Sequence, residues 1–129
     1  MKFKSRYKTL IGLILFSSIY IYVFYFADPV DHMDFNTAVW KESPAEHSLE
    51  SIRLRMVEDF LDQYDVIGMS ESQIIDLLGS SDNTNYFKDY DLVYCLGQET
   101  DSYFAIDSEW LVFEIDDLNK ITSFQIVTD

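Results

Sequence analysis

The sequence predicts an α+β protein in which an N-terminal transmembrane helix precedes a two-layer domain of two helices packed on a three-stranded antiparallel sheet, in the order ααβββ. Three observations lead there. Residues 9–27, TLIGLILFSSIYIYVFYFA, carry no charge, and apolar residues recur every three or four positions between residues 49 and 78. Three later runs read as strands whose residues divide alternately between two faces, and turn-rich segments flank them. A chain of 129 residues has room for one small domain beside the membrane segment. The division is a basic cytoplasmic tail (1–8), a membrane helix acting as signal anchor (9–27), a tether (28–47) and an extracytoplasmic domain (48–129).

The uncharged run is close to the roughly 20 residues that cross the hydrocarbon layer as a helix. Lys2, Lys4, Arg6 and Lys8 precede it, and all 23 acidic residues follow it. Five basic residues against those 23 acidic ones give the remainder a formal charge of −18. Basic residues stay on the cytoplasmic side, so the N-terminus is expected inside and the acidic domain across the membrane, in the periplasm or outside the cell. A cleaved signal peptide is the alternative. Its apolar core is usually only about 7 to 15 residues, and a cut after Ala27 would put Tyr25 where a small residue is preferred. Tyr20, Tyr22, Phe24, Tyr25 and Phe26 crowd the outer end like an interfacial belt, as expected of a helix whose partner is the bilayer.

No cysteine lies near this segment to take a lipid, and Cys95, the only cysteine, excludes an intramolecular disulfide. In an alternating apolar run it reads as a small buried hydrophobe. The negative charge argues against nucleic acid, which needs clustered Lys or Arg, and against lying on an anionic bilayer surface.

Residues 28–47 hold two prolines and no steady period, the marks of a tether or irregular lead-in, although Phe35, Val39 and Trp40 are able to dock on the domain. Ser48 offers a helix cap, after which Leu49, Ile52, Met56, Phe60 and Tyr64 make one apolar stripe. Arg53, Arg55, Glu58, Asp59 and Asp62 fall mostly on the other side. A second, short helix has fuller punctuation. Ser70 with Gln73 forms a capping box, Met69 with Ile74 a hydrophobic staple, and Glu71 meets the positive end of the helix dipole. Ile74, Leu77 and Leu78 supply its apolar face, and Gly79 a left-handed stop.

The sheet follows a polar, turn-rich stretch at 80–89. Leu92, Tyr94 and Leu96 alternate with Val93 and Cys95 in a strand ended by Gly97. Residues 98–108 read as a loop. Residues 110–115 alternate again, the segment DDLNK at 116–120 makes a tight connection, and 121–127 returns with Thr122, Phe124 and Ile126 on one face. Connections this short favour antiparallel pairing.

Gly68, Met69, Ser70, Gln73, Ile74, Leu78 and Gly79, with the tyrosine-bearing strand and the late Leu-Val-Phe-Glu-Ile hairpin, resemble the SmpA and OmlA family over residues 48–129. These are small lipoproteins of the outer-membrane β-barrel assembly machine. The resemblance implies two helices on a three-stranded antiparallel sheet, used to bind protein rather than to catalyse. The chain departs from the family in lacking a lipidated cysteine, in having a membrane helix, and in placing Ser81 where a proline commonly follows Leu-Gly.

No catalytic grammar stands out. His32 and His47 are the only histidines, fifteen residues apart without ligands at fixed spacing, so no metal is expected. An EF-hand starting at Asp82 would need glycine and glutamate where Phe87 and Val93 stand. No nucleophile triad, phosphate loop or dinucleotide fingerprint appears, so neither a catalytic residue nor a cofactor is expected, and an enzyme is the minor hypothesis. Tyr86, Phe87, Tyr90, Tyr103, Phe104 and Trp110 are the candidate contacts for a protein partner, because aromatic residues are enriched in interface cores. The alternative is that several of them tuck into the end of the core. The leading expectation is a membrane-anchored protein-interaction module. An acidic inhibitor or immunity-type protein that neutralises a basic partner is the second, and a ligand-binding or enzymatic domain using the loop at 98–108 is the third.

Overall fold

The computed structural model describes residues 2–100 and 104–129. From Tyr7 onward every side chain of helix α1 (Lys2–Tyr25) is exposed. Its stretch Tyr7–Tyr25 is long and apolar enough to cross a membrane. A helix apolar all round suits a lipid surrounding or a large core, and none of this span is covered by the rest of the chain.

Only Phe26 and Ala27 separate α1 from a segment pinned to the domain. The Asp28 carboxylate accepts the Val30 N–H at 2.8 Å, and the Met33 N–H donates to the Arg55 carbonyl at 2.9 Å. Arg55 reaches the Asp31 carbonyl and carboxylate at 2.7 and 2.9 Å, while the Phe35 N–H donates to Asp59 at 2.6 Å. Helix α2 (Thr37–Glu42) follows, with the Asn36 side chain accepting from the Val39 N–H. Of the three residues expected to dock, Phe35 and Trp40 do and Val39 stays exposed. The Phe35 ring lies 5.0 Å from Phe60 and 5.9 Å from both Trp40 and Tyr64. Residues 28–47 are therefore part of the core's cover rather than a free tether.

Helix α3 (Ile52–Gln63) buries Leu54, Met56, Val57 and Phe60 as its stripe requires. It starts later than Ser48 suggests. Ser51 takes the cap position but gives its hydroxyl to the Leu96 carbonyl, fastening the helix start to the sheet. Arg53, expected on the solvent side, is buried. Its guanidinium donates to Asp82 at 2.7 Å and lies 5.7 Å from the Trp40 ring centre, so a carboxylate and a π face replace the water it loses.

Helix α4 (Glu71–Leu78) has the cap the sequence spells. Ser70 accepts from the Gln73 N–H, and the Gln73 side chain accepts from the Ser70 N–H. Ile74 and Leu78 are buried, and Gly79 ends the helix at φ +83°, a backbone state that side chains disfavour. The Gly79 carbonyl then accepts the Tyr94 hydroxyl at 2.8 Å, and burial raises the pKa of that phenol.

The sheet is antiparallel in the order β1 (Leu92–Gln98), β2 (Ser108–Ile115), β3 (Ile121–Thr128). β1 runs through Gly97 instead of ending there. The pairing shifts between Cys95 and Gly97, and a side chain on Gly97 would meet the Ser51 Cβ at 2.8 Å and the Ser48 carbonyl at 3.0 Å. The glycine thus lets the start of α3 lie against the strand. A second shift between Glu114 and Ile115 inserts one residue into β3. As a result Ile121 takes the buried position, and Thr122 instead donates its hydroxyl to the Glu114 carbonyl.

The core lies between the helices and one sheet face, with Tyr94, Leu96, Leu111, Phe113 and Ile121 meeting Trp40, Leu54, Met56, Phe60, Ile74 and Leu78. The opposite face is covered too. Val93, Trp110 and Val112 form a second small cluster beneath Phe87 and Tyr90 of the α4–β1 connection.

Candidate functional site

α3 lies across β1 and leaves the core-side face of β3 open. Phe124 and Ile126 pair with Phe113 and Leu111 and so share their face, yet they remain 37% and 46% exposed. The gap is a groove of about 560 Å³. Leu54, Val57 and Leu61 of α3 and Phe124 and Ile126 of β3 line it, with Val30 of the segment that follows α1. That volume lies within the usual range for binding clefts.

The rim is acidic. Asp28, Glu58, Asp62 and Glu109 line it, without a lysine or arginine among the lining residues. Glu109 is internally occupied, accepting from the N–H and hydroxyl of Thr100 at 2.8 and 2.6 Å. His32 bridges two of the others, its Nε2 2.7 Å from Asp28 and its Nδ1 3.1 Å from Glu58. The hydrogen bond to Asp28, helped by the charges of Glu58, Asp28 and Asp31, raises the His32 pKa. The Val30 N–H first, and His32 second, hold the Asp28 carboxyl below its usual range. His32 therefore links the segment after α1 to α3 at the groove mouth. Asp28, His32 and Glu58 are close enough together to share a metal ion. Each ring nitrogen faces a different carboxylate, so a cation taken by one nitrogen would leave the other as an N–H donor to the opposite carboxylate. A proton on each nitrogen likewise gives both carboxylates a donor.

The two sheet edges differ in the same region. On β1, the Val93 N–H donates to the Ser81 hydroxyl at 2.9 Å and its carbonyl accepts the Asp82 N–H at 2.8 Å. The Cys95 N–H donates to the Asp82 carboxylate at 2.8 Å, and Arg53 Nη1 lies 3.4 Å from the Cys95 carbonyl. Ser81 supplies a hydroxyl that plugs this edge. On β3, Ile121 exchanges backbone hydrogen bonds with Gly68 and Met69 at 2.9 and 2.8 Å. Beyond Ile121, among the described residues, no element pairs with the outer edge of β3.

The aromatic contacts proposed from the sequence do not form one patch. Trp110 is buried, donating its indole N–H to Asp129 at 3.1 Å, with the half-buried Phe87 ring 5.8 Å away and Tyr90 against Phe87 at 6.4 Å. These three cover the back of the sheet. Tyr86 and Phe104 are exposed at 58% and 82%, and Tyr103 lies outside the described residues. Cys95 is half-buried beside the same cluster, and burial pushes its thiol pKa up. Sequence reasoning missed the groove because its walls look like ordinary core positions. The one available signal was that Phe124 and Ile126 belong to a last strand, with too few helices to cover all three.

No family model, curated protein or solved structure matches the chain.

Proposed function

We propose that this is a single-pass membrane protein whose acidic domain lies outside the cytoplasm and binds another protein through the groove between α3 and β3. The observation that carries the reading is an apolar cleft with exposed Phe124 and Ile126, a carboxylate rim and an unpaired strand edge side by side. Apolar surface rimmed by polar groups is the anatomy of a protein interface. The basic tail and uncharged span support an N-in orientation. The short connection from α1 to the pinned segment at Asp28 would hold the groove near the bilayer, where a membrane-bound or envelope partner meets it. The resemblance to SmpA and OmlA proteins supports the same class of role, a binding module built on two helices and three strands.

The charge of −18 favours a basic partner, which it would steer to the rim and release in salt. That keeps the inhibitor-type function as the second reading, in which the bound protein is a basic enzyme or toxin. Site-specific photo-crosslinking of the full chain in its native membrane tests the main reading. Benzophenone side chains at Phe124 and Ile126 are expected to capture one discrete partner that the same group at Tyr86 or Leu118 does not. Equal labelling from all four positions would remove the groove from the account. Protease digestion of the domain before the cytoplasmic side is opened is the expected result for topology, and digestion only afterwards would reverse it.

A further inference from the structure

We propose that the occupant of the groove is an extended partner segment that adds to β3 as a fourth strand, with apolar side chains on the groove face flanked on that same face by lysine or arginine. This rests on reading the groove as the docking surface and goes further, to the conformation and chemistry of what docks. Two requirements meet at β3 and select a strand. The groove asks for apolar side chains against Leu54, Val57, Phe124 and Ile126, and the β3 edge beyond Ile121 offers backbone donors and acceptors without a protein partner among the described residues. A docked helix would fill the first and leave the second to water, whereas a strand satisfies both at once.

The rest of the chain fits. β1 is closed by Ser81, Asp82 and Arg53, so the sheet can grow only at β3. Residues 122–128, TSFQIVT, contain neither a charge nor a proline, the usual guards of an exposed edge. At about 3.3 Å per residue, Ser123 to Thr128 offers roughly 20 Å, enough for a typical strand. Alternate side chains of an added strand fall on the groove side. The acidic rim selects the groove-side residues that flank the apolar ones, since long basic side chains lie along apolar walls and present their charge to Asp28, Glu58 and Asp62. A second copy of this chain would bring a matching charge of −18 against the same rim, so charge complementarity favours a foreign basic segment.

The test uses full-length protein in nanodiscs of zwitterionic lipid and four synthetic peptides. One has valine at the central groove-side positions, lysine at the outer groove-side positions and threonine at the positions between, the second carries backbone N-methyl groups at alternate residues, the third has glutamate for lysine, and the fourth is a leucine–lysine amphipathic helix. The first should bind, slow amide exchange between Ser123 and Thr128, and lose binding to the Ile126→Arg variant. N-methylation and the glutamate swap should each weaken it on the order of tenfold. Equal binding of the N-methylated peptide, or tighter binding of the helix, would overturn strand addition. Sedimentation of the protein alone as a dimer abolished by Ile126→Arg would make a second copy the occupant and also overturn it. Groove crosslinks in native membranes with no strand-dependent peptide binding would leave the docking reading standing and this inference refuted. Absence of both would remove both.

Discussion

Replacing Trp40 with alanine should cripple the fold, although residue 40 lies in a stretch that reads as a linker. Trp40 is fully buried, its ring 6.3 Å from Phe60 in a tilted contact, 5.9 Å from Phe35 edge-on and 5.7 Å from the Arg53 guanidinium. Removing a buried tryptophan forfeits its transfer free energy and leaves a cavity, together about 3 to 5 kcal/mol. A domain of this size holds only about 5 to 15 kcal/mol of stability, so the loss takes a large share. At about 4 to 8 °C per kcal/mol the midpoint should fall by roughly 12 to 40 °C. Thermal unfolding of the full-length protein in detergent, followed by tryptophan fluorescence, which Trp110 keeps in the variant, reads the midpoint without interference from α1, which has no tryptophan. Val39→Ala on the same short helix is the internal control, because Val39 is 40% exposed and its truncation should stay within about 0.5 kcal/mol. A Trp40→Ala protein that melts within a few degrees of wild type would refute the conclusion that residues 28–47 belong to the core.

Asp82→Ala should cost about 3 to 5 kcal/mol in the same assay, since it leaves Arg53, with a side chain only 10% exposed, without its carboxylate and the Cys95 N–H without an acceptor. Little change in the midpoint would mean that the β1 edge is not held this way. Gly97→Ala should destabilise by at least about 2 kcal/mol, because the new methyl would sit 2.8 Å from the Ser51 Cβ at a φ of +156°. A neutral result would contradict the close approach of α3. His32 has a raised pKa in the fold, so its contribution is fully present below its ordinary value of 6.5 and is lost as pH rises through the folded-state value. Chemical denaturation should find wild type more stable than His32→Gln at pH 6 and indistinguishable at pH 9. A gap that persists or widens at pH 9 would contradict the imidazolium bridge.

Periodicity made most of the domain legible. The stripe from Ile52 to Phe60, the box of Ser70 with Gln73 and the alternation in all three strands are local patterns, and the structure repeats them. What was not legible depends on contacts far apart in the chain. Six residues make α2 too short to show a period, and only Phe60 and Tyr64, twenty or more positions later, turn Phe35 and Trp40 inward. Arg53 sits on the buried side because Asp82 waits across β1, which no helical pattern records. The bulge that brings Ile121 inward shifts the apolar phase of β3 by one. The site was hardest to see. Trp110, Phe87 and Tyr90 were legible as aromatic but not as the cover of a back face, while Phe124 and Ile126 were legible as core-facing but not as uncovered.

The central claim is that something outside this chain covers the edge of β3. Hydrogen–deuterium exchange read by mass spectrometry, on full-length protein in native membrane vesicles and again after purification in detergent, measures that cover directly. Amides between Ser123 and Thr128 should exchange more slowly in the native membrane, while those of α4 stay the same in both. Identical exchange of β3 in the two preparations would contradict the account.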